Sequence, residues 1–534
     1  MDKILEGDVH APPSKALNYG TAGFRTQAVL MEAAMYRCGV LASLRSMQRE
    51  GAFTGLMITA SHNAEPDNGA KIADYHGGML ERTWEPYAEA LINASTSEAV
   101  KATIQDILQK EGFTLGASTA RVVVGFDTRP SSKGLHACAC AGIAALGGTV
   151  VDLGEVTTPQ LHFAVQHANQ KSISDAAMLS EAYYNTICSG YVALKATAAS
   201  PMVDKVVIDC ANGVGSVALK KFPPIVAETD LEKMLQMELR NEAYSGPVNE
   251  GCGAELVQKE RRPCCNVSAE KDEGRLLCSY DGDADRVVFH QFVQGEWVLY
   301  DGDKIAILIG KLLQQELEAA NLTREVSFGV VQTAYANGAS TDCLRSMNAP
   351  VVMAKTGVKY LHHKAEQYDV GLYFEANGHG TVLYSDKFFG LLKQSTKEEG
   401  TRAGLAYRRL SALTQVVNQA TGDAISDMLV VLACLNILEC DWRALYTDLP
   451  SRQMKLPVAN KSSIVCSEDE TSVVEPKALQ EELDTCMKEV ENGRCFVRPS
   501  GTEDIVRIYA EAKTEELARQ LADRAAETTL KFCS

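Results

Sequence analysis

The stretch Gly55-Leu-Met-Ile-Thr-Ala-Ser61-His-Asn63 runs from a short apolar segment into a polar loop. Its first five residues have the length and composition of a buried strand. Similar apolar segments alternate with amphipathic helical patterns along most of the chain, at residues 121–124, 148–153, 206–209 and 329–331. This alternation predicts an α/β protein in which helices connect parallel strands.

The length of the chain indicates several domains. At about 100–200 residues per domain, 534 residues correspond to about three to five domains. Breaks in the pattern near residues 180, 300 and 440 predict domains at 1–180, 181–300, 301–440 and 441–534. In the last of these, two strands are predicted around a Pro-Ser-Gly loop, and a final helix follows Thr514, a typical N-cap residue. This domain is therefore predicted to be smaller and of the α+β class.

Charge and cysteine content exclude several classes of function. The formal net charge is −17, whereas nucleic acids and anionic membranes require a basic footprint, so neither is expected as a partner. No segment approaches the ~18 consecutive apolar residues of a membrane helix, and residues 1–18 lack the apolar core of a signal peptide. The 16 cysteines form no C-x-x-C pair, which favours free thiols and a cytoplasmic location.

Ser61 lies where the first predicted strand ends, a position at which side chains of α/β domains meet ligands. A serine hydroxyl is a poor nucleophile unless a base or a metal ion activates it. Although His62 is the next residue, neighbouring side chains of an extended segment point apart, so adjacency does not make a catalytic pair. Taken alone, Ser61 is more often an ordinary loop serine than a nucleophile.

The clearest chemical signal is the loop Asp281-Gly-Asp283-Ala-Asp285-Arg286 between two apolar runs. Three carboxylates at alternate positions can converge on one hard cation, and Mg²⁺ keeps further positions for water or phosphate oxygen. A calcium-binding EF-hand is excluded because Arg286 stands where its glycine is required and because the flanks read as strands. A solvated acidic turn is the alternative, although three like charges between apolar strands would repel one another without a cation.

A second loop, Arg498-Pro499-Ser500-Gly501-Thr502, has the composition of an anion-binding turn. Its glycine exposes backbone N–H groups, its hydroxyls are donors, and Arg498 and the nearby Arg507 offer planar forks suited to phosphate. The lysine of a nucleotide-binding P-loop is missing, so this loop would hold a phosphate without transferring it. An ordinary turn between two strands is the alternative.

A third loop, Glu375-Ala376-Asn377-Gly-His379, follows a predicted strand at residues 371–374. Its carboxylate, amide and imidazole groups suit neighbouring hydroxyl groups of a sugar. They suit a metal ion poorly, because only one of them is a strong hard ligand. A polar loop without a function fits the same residues equally well.

In this order and spacing, the loops resemble those of the α-D-phosphohexomutase superfamily, over residues 18–512. The opening motif of that family is matched by Tyr19-Gly-Thr-Ala-Gly-Phe-Arg25, and its phosphoserine loop by residues 59–63 followed by Asn68-Gly-Ala-Lys71. Asn377 stands where glucose and mannose mutases of the superfamily usually have serine. Together with Asn249-Glu-Gly-Cys-Gly253, it is similar to the eukaryotic branch that acts on N-acetylglucosamine phosphates.

The resemblance implies four domains around a central cleft: three related α/β domains with mixed sheets and a C-terminal α+β (TBP-like) domain. It implies interconversion of N-acetylglucosamine 6-phosphate and 1-phosphate through phospho-Ser61 and a 1,6-bisphosphate, in UDP-N-acetylglucosamine biosynthesis. Small-molecule sugar phosphates are then the ligands, and a hexose 1,6-bisphosphate of glucose or N-acetylglucosamine is the activator that phosphorylates Ser61. The chain is expected to be a cytoplasmic monomer or homodimer.

The resemblance also implies a role for each site residue. Mg²⁺ is expected on a phosphoryl oxygen of Ser61 and on Asp281, Asp283 and Asp285. The substrate is expected on Glu375, Ala376, Asn377, Arg498, Pro499, Ser500, Gly501, Thr502 and Arg507. The candidates for acid or base are Lys71, Arg25 and His379, with Lys71 preferred if nearby cations lower its pKa. Supporting roles are expected for His62, Asn63, Arg286, Thr356 and Gly357.

Two other activities use the same features. A phosphoglucomutase or phosphomannomutase would act on a hexose phosphate without the N-acetyl group. A metal-dependent sugar phosphatase would let water intercept phospho-Ser61. A non-catalytic sugar-phosphate sensor is less consistent with a chain that retains Ser61, the three aspartates and the phosphate loop.

Overall fold

The structure, a computed structural model, describes residues 1–20, 23–199, 203–222, 235–394, 400–500 and 505–533. The chain divides into two compact units. Unit 1 consists of Met1–Asp301, Asn377–Thr381 and Ser411–Ile437. Unit 2 consists of Gly302–Ala376, Val382–Leu410 and Leu438–Ser534.

The described residues of unit 1 form two mixed sheets. The strands of the first are β1 (Phe24–Gln27), β2 (Phe53–Ile58), β3 (Asp67–Ala73), β4 (Arg121–Phe126) and β5 (Thr149–Glu155), in the order β1-β3-β2-β4-β5. The strands of the second are β6 (Lys205–Asp209), β7 (Gln236–Arg240), β8 (Leu277–Tyr280), β9 (Val287–Val293) and β10 (Glu296–Tyr300), in the order β10-β9-β8-β6-β7. Among the described residues before position 301, the α-helices are α1 (Asp2–Gly7), α2 (Glu32–Gln48), α3 (Glu85–Ile92), α4 (Ser97–Glu111), α5 (Ser132–Ala145), α6 (Thr158–Lys171), α7 (Ala176–Lys195), α8 (Gly215–Lys220), α9 (Ala254–Lys259) and α10 (Ala269–Asp272).

Strand β2 is buried along its whole length because the first sheet is covered on both faces. Leu56 and Ile58 belong to the core that contains residues of α2 and α5, whereas Met57 packs on the opposite face with Leu161 of α6. Since side chains alternate between the faces of a strand, burial on both faces favours a mainly apolar run, and the one polar side chain, Thr54, donates its hydroxyl to the carbonyl of Ala42. The sequence prediction of a strand at residues 55–59 is confirmed, with β2 beginning two residues earlier.

The prediction of parallel sheets from alternation alone is wrong for part of each sheet in unit 1. Strand β3 pairs antiparallel with both β1 and β2, while β2, β4 and β5 are parallel. In the second sheet, β8, β9 and β10 are antiparallel neighbours. The connections from β2 to β3, from β8 to β9 and from β9 to β10 are short loops, and a parallel crossover needs about a dozen residues or more. The mixed sheets that the resemblance implied are the correct description.

The described residues after position 301 form three further sheets. Strands β11 (Phe328–Thr333), β12 (Val351–Ala354), β13 (Val370–Phe374) and β14 (Gly380–Tyr384) have the order β12-β11-β13-β14. Strands β15 (Ser451–Pro457), β18 (Arg494–Pro499) and β19 (Ile505–Glu511) have the order β15-β19-β18, and β16 (Val465–Cys466) pairs with β17 (Val473–Glu475). The helices here are α11 (Gly302–Ala319), α12 (Gly338–Ser346), α13 (Val358–Ala365), α14 (Asp386–Gln394), α15 (Arg402–Val416), α16 (Ala424–Leu438), α17 (Lys477–Lys488) and α18 (Glu515–Phe532).

The C-terminal elements form the α+β arrangement that the sequence predicted. Helices α17 and α18 share one apolar core with the antiparallel sheet of β15, β18 and β19. Helix α18 begins after Thr514, whose hydroxyl accepts a hydrogen bond from the backbone N–H of Leu517 at 3.3 Å, as expected for an N-cap. The loop between β18 and β19 is the predicted phosphate loop.

The cysteines are dispersed through both units. All 16 lie among the described residues, and all are free thiols. Burial raises the pKa of the Cys38 thiol, which keeps it protonated and unreactive. In the part of the chain that the structure describes, no helix has both the length and the apolar character needed to cross a bilayer.

Candidate active site

Ser61 lies in the loop between β2 and β3, in a conformation that the strand prediction did not anticipate. Strand β2 ends at Ile58, and Ser61 has φ = +48°, in the left-handed region that non-glycine residues rarely adopt. Its side chain is fully buried. Such a conformation persists only where the surrounding structure enforces it.

Two side chains enforce it by binding the backbone of the Ser61 loop. Arg129 donates from Nη2 to the carbonyl oxygens of Ser61 and Asn63, at 3.0 and 2.8 Å. Asn249 donates from Nδ2 to the same two oxygens, at 2.8 and 3.0 Å. We call this pair, Arg129 and Asn249, the carbonyl clamp. It fixes the path of the loop from two sides.

The threonine of the motif T-A-S-H-N connects the clamp to the loop. Thr59 Oγ1 donates to Asp127 Oδ2 at 2.7 Å and accepts the backbone N–H of Ser61 at 3.0 Å. The same Asp127 oxygen accepts from Arg129 Nε at 3.0 Å. Sequence reasoning missed Arg129. The signal that pointed to it was the polar run Asp127-Thr-Arg129 directly after β4.

Asn249→Ala should reduce kcat by about 10–100-fold, because it removes two of the four clamp bonds and lets the nucleophile shift. The matched control is Asn169→Ala, since Asn169 also donates from Nδ2 to backbone carbonyls, those of Phe53 and Tyr75, away from Ser61. Steady-state kinetics and thermal unfolding of both variants test this. Equal losses of kcat in the two variants would show that the clamp has no particular role.

The acidic loop connects β8 to β9, and its three aspartates converge as the sequence suggested. One potential ligand atom from each of Asp281, Asp283 and Asp285 lies within 4.8 Å of the others, and all three side chains are buried. Asp281 Oδ2, Asp283 Oδ1 and Asp285 Oδ1 are buried and accept no hydrogen bond from any residue that the structure describes. Leaving a buried anionic oxygen unsatisfied is costly. An all-carboxylate set of this kind fits a hard divalent cation such as Mg²⁺.

The pKa values of the acidic loop also reflect the repulsion between its buried carboxylates. Burial and the charges of Asp285 and Asp283 hold the pKa of Asp281 well above its usual value. Burial also acts to raise the pKa of Asp285, but Lys71 and His379 outweigh it and hold that pKa well below the usual value. Neighbouring carboxylates that differ in this way are expected where like charges compete in one buried site. A cation among them would relieve the repulsion.

The acidic loop and the Ser61 loop are in direct contact. Ser61 Oγ donates to Asp283 Oδ2 at 3.2 Å, although the two residues are 222 positions apart in sequence. A Cβ added to Gly282 would lie 2.6 Å from the carbonyl oxygen of Ser61, so this close approach requires glycine at position 282. The structure therefore brings the predicted nucleophile and the predicted metal ligands into one site.

Lys71 on β3 forms part of the same site. Its Nζ donates to Asp283 Oδ2 and to Asp285 Oδ2, at 2.7 Å each. Burial acts to lower the pKa of Lys71, but the two carboxylates outweigh it and the pKa lies above its usual value. A lowered pKa was the condition for Lys71 as a base, and in this arrangement that condition is not met. Lys71 is instead an ammonium group that can donate a proton or a hydrogen bond.

Arg25 and His379 also reach the site in unit 1. Arg25 donates from Nη2 to Ser61 Oγ at 3.2 Å. His379 is buried, with Nδ1 3.5 Å from Asp285 Oδ1. Its loop approaches closely because Gly378, at φ = +85°, has no Cβ, which would lie 2.0 Å from the carbonyl oxygen of Val287. The structure thus groups all three acid–base candidates around the acidic loop.

The supporting residues of unit 1 have mixed roles. Burial and the charges of Arg286 and Arg25 lower the pKa of His62, so its ring is neutral and a weak base. Asn63 donates from Nδ2 to Asp67 Oδ2 at 3.0 Å and thereby closes the Ser61 loop. Arg286 pairs with Glu255 at 3.1 Å.

In unit 2, cationic residues occupy paired positions on three neighbouring strands, and one of these strands, β18, carries the start of the predicted phosphate loop. Arg498 on β18 is directly opposite Arg507 on β19, and Arg507 is opposite Lys455 on β15. Residues paired in this way lie on one face of the sheet, and like charges there repel unless an anion is present. Ser500 is buried, and its N–H donates to the carbonyl of Ile505 at 2.9 Å. The predicted residues Gly501 and Thr502 lie outside the described residues.

Glu470 was not predicted from the sequence, and it connects two of the predicted residues of unit 2. Its Oε2 accepts the backbone N–H of Thr356 at 3.1 Å, and its Oε1 lies 3.5 Å from Arg498 Nη1. Arg498 also donates from Nε to Tyr335 Oη at 3.1 Å. The neighbouring Gly357 has φ = +123° and precedes α13. The loop at Thr356 is thus tied to the first arginine of the phosphate loop.

The predicted sugar loop is divided between the units. Glu375 and Ala376 belong to unit 2, where the carbonyl of Ala376 accepts the N–H of Gly302 at 3.2 Å. Asn377 belongs to unit 1, where its Oδ1 accepts the N–H of His379 at 2.9 Å. This bond shapes the turn that leads to His379. Pro499, the remaining predicted substrate residue, ends β18 of unit 2.

Comparison with known proteins gives a consistent result along the chain. Family models match residues 301–440 (phosphoacetylglucosamine mutase, domain III), 176–288 (the same family, domain II), 456–528 (phosphoglucomutase/phosphomannomutase, C-terminal domain) and 39–99 with 86–181 (the same, α/β/α domain I). Phosphoacetylglucosamine mutase of Oryza sativa subsp. japonica is 43% identical over 533 residues, covering 96% of this chain and 93% of the rice protein. The chain belongs to the phosphoacetylglucosamine mutase family.

Solved structures of phosphoacetylglucosamine mutases have the same fold. The Aspergillus fumigatus enzyme in complex with GlcNAc-6P and magnesium has a TM-score of 0.92 at 36% identity, covering 100% of this chain and 99% of that one. A variant of that enzyme in complex with glucose 1,6-bisphosphate has a TM-score of 0.89 at 35% identity, with coverage of 100% and 99%. The four-domain phosphohexomutase architecture that the resemblance implied is confirmed at the level of the fold.

Proposed function

We propose that the protein interconverts N-acetylglucosamine 6-phosphate and N-acetylglucosamine 1-phosphate, with Ser61 carrying the phosphoryl group between two halves of the reaction. The observation that carries this proposal is the hydrogen bond between Ser61 Oγ and Asp283 Oδ2. It lies in a buried site where three carboxylate oxygens accept no hydrogen bond from the described residues. Full-length relatives named as phosphoacetylglucosamine mutases and a relative solved with GlcNAc-6P and magnesium support it.

In the first half-reaction, a free sugar hydroxyl attacks the phosphorus of phospho-Ser61. A new P–O bond forms, the bond from phosphorus to Ser61 Oγ breaks, and the hydroxyl gives its proton to His379, whose Nε2 is buried and has no hydrogen-bond partner among the described residues. Mg²⁺ on Asp281, Asp283 and Asp285 would offset the charge of the transferring group. Arg25 donates to Ser61 Oγ, so it stabilises the leaving oxygen. Lys71 is charged, and it donates to the same Asp283 oxygen that accepts from Ser61. It is our candidate for the group that protonates Ser61 Oγ when the phosphoryl group leaves.

The second half-reaction requires the bisphosphate to turn end over end, so that Ser61 recovers the other phosphate. A separate holding site must accept either phosphate in turn. Arg498, Ser500 and Arg507, with Gly501 and Thr502, are proposed for it, because aligned cations and a turn of N–H donors bind phosphate without transferring it. Glu375, Ala376 and Asn377 are proposed to hold the sugar, with Thr356 and Gly357 in support.

Further parts of the proposal concern activation and cellular context. A hexose 1,6-bisphosphate is proposed to phosphorylate Ser61 initially, as a glucose 1,6-bisphosphate complex of a relative suggests. We propose domains at 1–180, 181–300, 301–440 and 441–534, close to the ranges that the family models match. The free thiols favour the cytoplasm. A monomer or homodimer is proposed.

A substrate comparison tests the proposed specificity. The acetylated substrate should give the higher kcat/KM when N-acetylglucosamine 6-phosphate and glucose 6-phosphate are compared at equal Mg²⁺ and bisphosphate concentrations. The formation of sugar 1-phosphate and the release of inorganic phosphate are measured in parallel. A higher kcat/KM for glucose 6-phosphate would favour a phosphoglucomutase, and inorganic phosphate without sugar 1-phosphate would indicate a phosphatase.

A further inference from the structure

Thr158, the first residue of α6, contacts the central aspartate of the acidic loop at two points. Its Oγ1 donates to Asp283 Oδ2 at 2.5 Å, and its backbone N–H donates to the carbonyl of Asp283 at 3.2 Å. Its side chain is 2% exposed, so water does not compete for these bonds. Sequence reasoning did not indicate Thr158.

The position of Thr158 is itself fixed. The preceding residue, Thr157, is the N-cap of α6, and it exchanges hydrogen bonds with Gln160 in a capping box, at 3.0 and 3.2 Å. A capping box holds the first turn of a helix in register with the chain that enters it. The hydroxyl of Thr158 is therefore presented to the acidic loop by a rigid element.

The two oxygens of Asp283 have opposite surroundings. Oδ2 accepts from Ser61, Lys71 and Thr158, whereas the buried Oδ1 accepts nothing from the described residues. Phosphorylation of Ser61 removes the first donor, because Oγ then carries no proton. Lys71 is shared with Asp285. Thr158 is thus the one donor of the three that remains in both states of Ser61 and is not shared with Asp285.

From this arrangement we infer that Thr158 is a positioning residue for the metal site: its hydroxyl holds Asp283 Oδ2 so that Oδ1 is directed to the divalent cation. Groups that hydrogen-bond to a metal ligand on the side away from the metal fix the ligand's orientation. Their loss typically weakens metal affinity by about 10–100-fold. The inference deepens the proposed function and rests on it, since it takes the acidic loop to be the Mg²⁺ site.

The test is a Mg²⁺ titration of the full-length protein by isothermal titration calorimetry. Thr158→Val keeps the shape and the backbone N–H but removes the hydroxyl, and it should raise the Kd for Mg²⁺ by about tenfold. Thr158→Ser keeps the hydroxyl and should stay close to wild type. The matched control is Thr54→Val, because Thr54 is buried in β2 and its hydroxyl donates to the carbonyl of Ala42, away from the acidic loop.

A second measurement, thermal unfolding with and without Mg²⁺, keeps the test valid if a variant is destabilised. The rise in melting temperature on adding Mg²⁺ reports how tightly the folded protein binds the cation. It should shrink at a fixed subsaturating Mg²⁺ concentration in Thr158→Val, and in Thr158→Ala if the valine variant does not fold. Kinetics should show a higher Mg²⁺ activation constant, with kcat largely recovered at saturating Mg²⁺.

Each outcome is decisive. Unchanged Mg²⁺ affinity in Thr158→Val, or equal weakening in Thr158→Ser, would overturn the role of the hydroxyl while leaving the proposed function intact. Equal weakening in Thr54→Val would show a general effect of threonine replacement and would also overturn it. A wild-type protein that does not bind Mg²⁺ would contradict the proposed function itself, and the inference with it.

Discussion

Ser61→Ala is expected to abolish sugar-phosphate turnover, with a loss of about a thousandfold or more, while the protein remains folded. The loss is large because no other group can carry the phosphoryl between the two half-reactions. Folding is spared because the carbonyl clamp binds backbone atoms of the loop, which alanine retains. Only the two bonds made by Oγ, to Arg25 and Asp283, are lost.

Two measurements make this result specific. Intact-mass analysis should find one added phosphate on wild-type protein treated with the bisphosphate and none on Ser61→Ala. The matched control is Ser43→Ala, since Ser43 is a buried serine of α2 whose hydroxyl donates to the carbonyl of Gly39. Substantial mutase activity in Ser61→Ala, or phosphate retained on it, would rule out the phosphoserine mechanism.

Asp283→Asn is expected to raise the Mg²⁺ concentration for half-maximal activity by about a hundredfold and to lower kcat. The change replaces one oxygen by an NH₂ group and removes the charge that binds both Lys71 and the cation. The experiment is a series of rate measurements over Mg²⁺ concentration, with a chelator-treated sample as the zero point.

The contrast for this variant is Asp74→Asn. Asp74 is equally buried, but it pairs with Arg45 at 2.8 Å in a structural ion pair. Its replacement should lower the unfolding free energy, because breaking a buried pair leaves a charge uncompensated. It should not change the Mg²⁺ activation constant. An unaltered Mg²⁺ response in Asp283→Asn would remove the acidic loop from the mechanism.

The sequence predicted the elements and the chemistry of the loops better than their local geometry. The runs on either side of residues 281–286 are strands β8 and β9, because short segments rich in β-branched and aromatic residues and bounded by a polar loop favour strands. That Ser61 meets these aspartates depends on contacts between residues 222 positions apart, and only the resemblance to a known family indicated it.

What the sequence could not predict depends on burial and on backbone conformation. The left-handed conformation of Ser61 is enforced by Arg129 and Asn249, and neither lies near it in the chain. The raised pKa of Lys71 follows from having two carboxylates as partners, a count that only the folded arrangement provides. The role of Thr158 could not be predicted, because its partner Asp283 is 125 positions away in the sequence.

The carbonyl clamp has a consequence for the two covalent states of Ser61. Arg129 and Asn249 donate to backbone carbonyl oxygens and not to the hydroxyl of Ser61. Adding or removing a phosphoryl group on that hydroxyl therefore breaks none of the four clamp bonds. Little reorganisation energy is then needed to interconvert phosphorylated and unphosphorylated Ser61. In the proposed mechanism, in which Ser61 loses and regains a phosphoryl group once in every turnover, neither state would be trapped by a rearranged backbone.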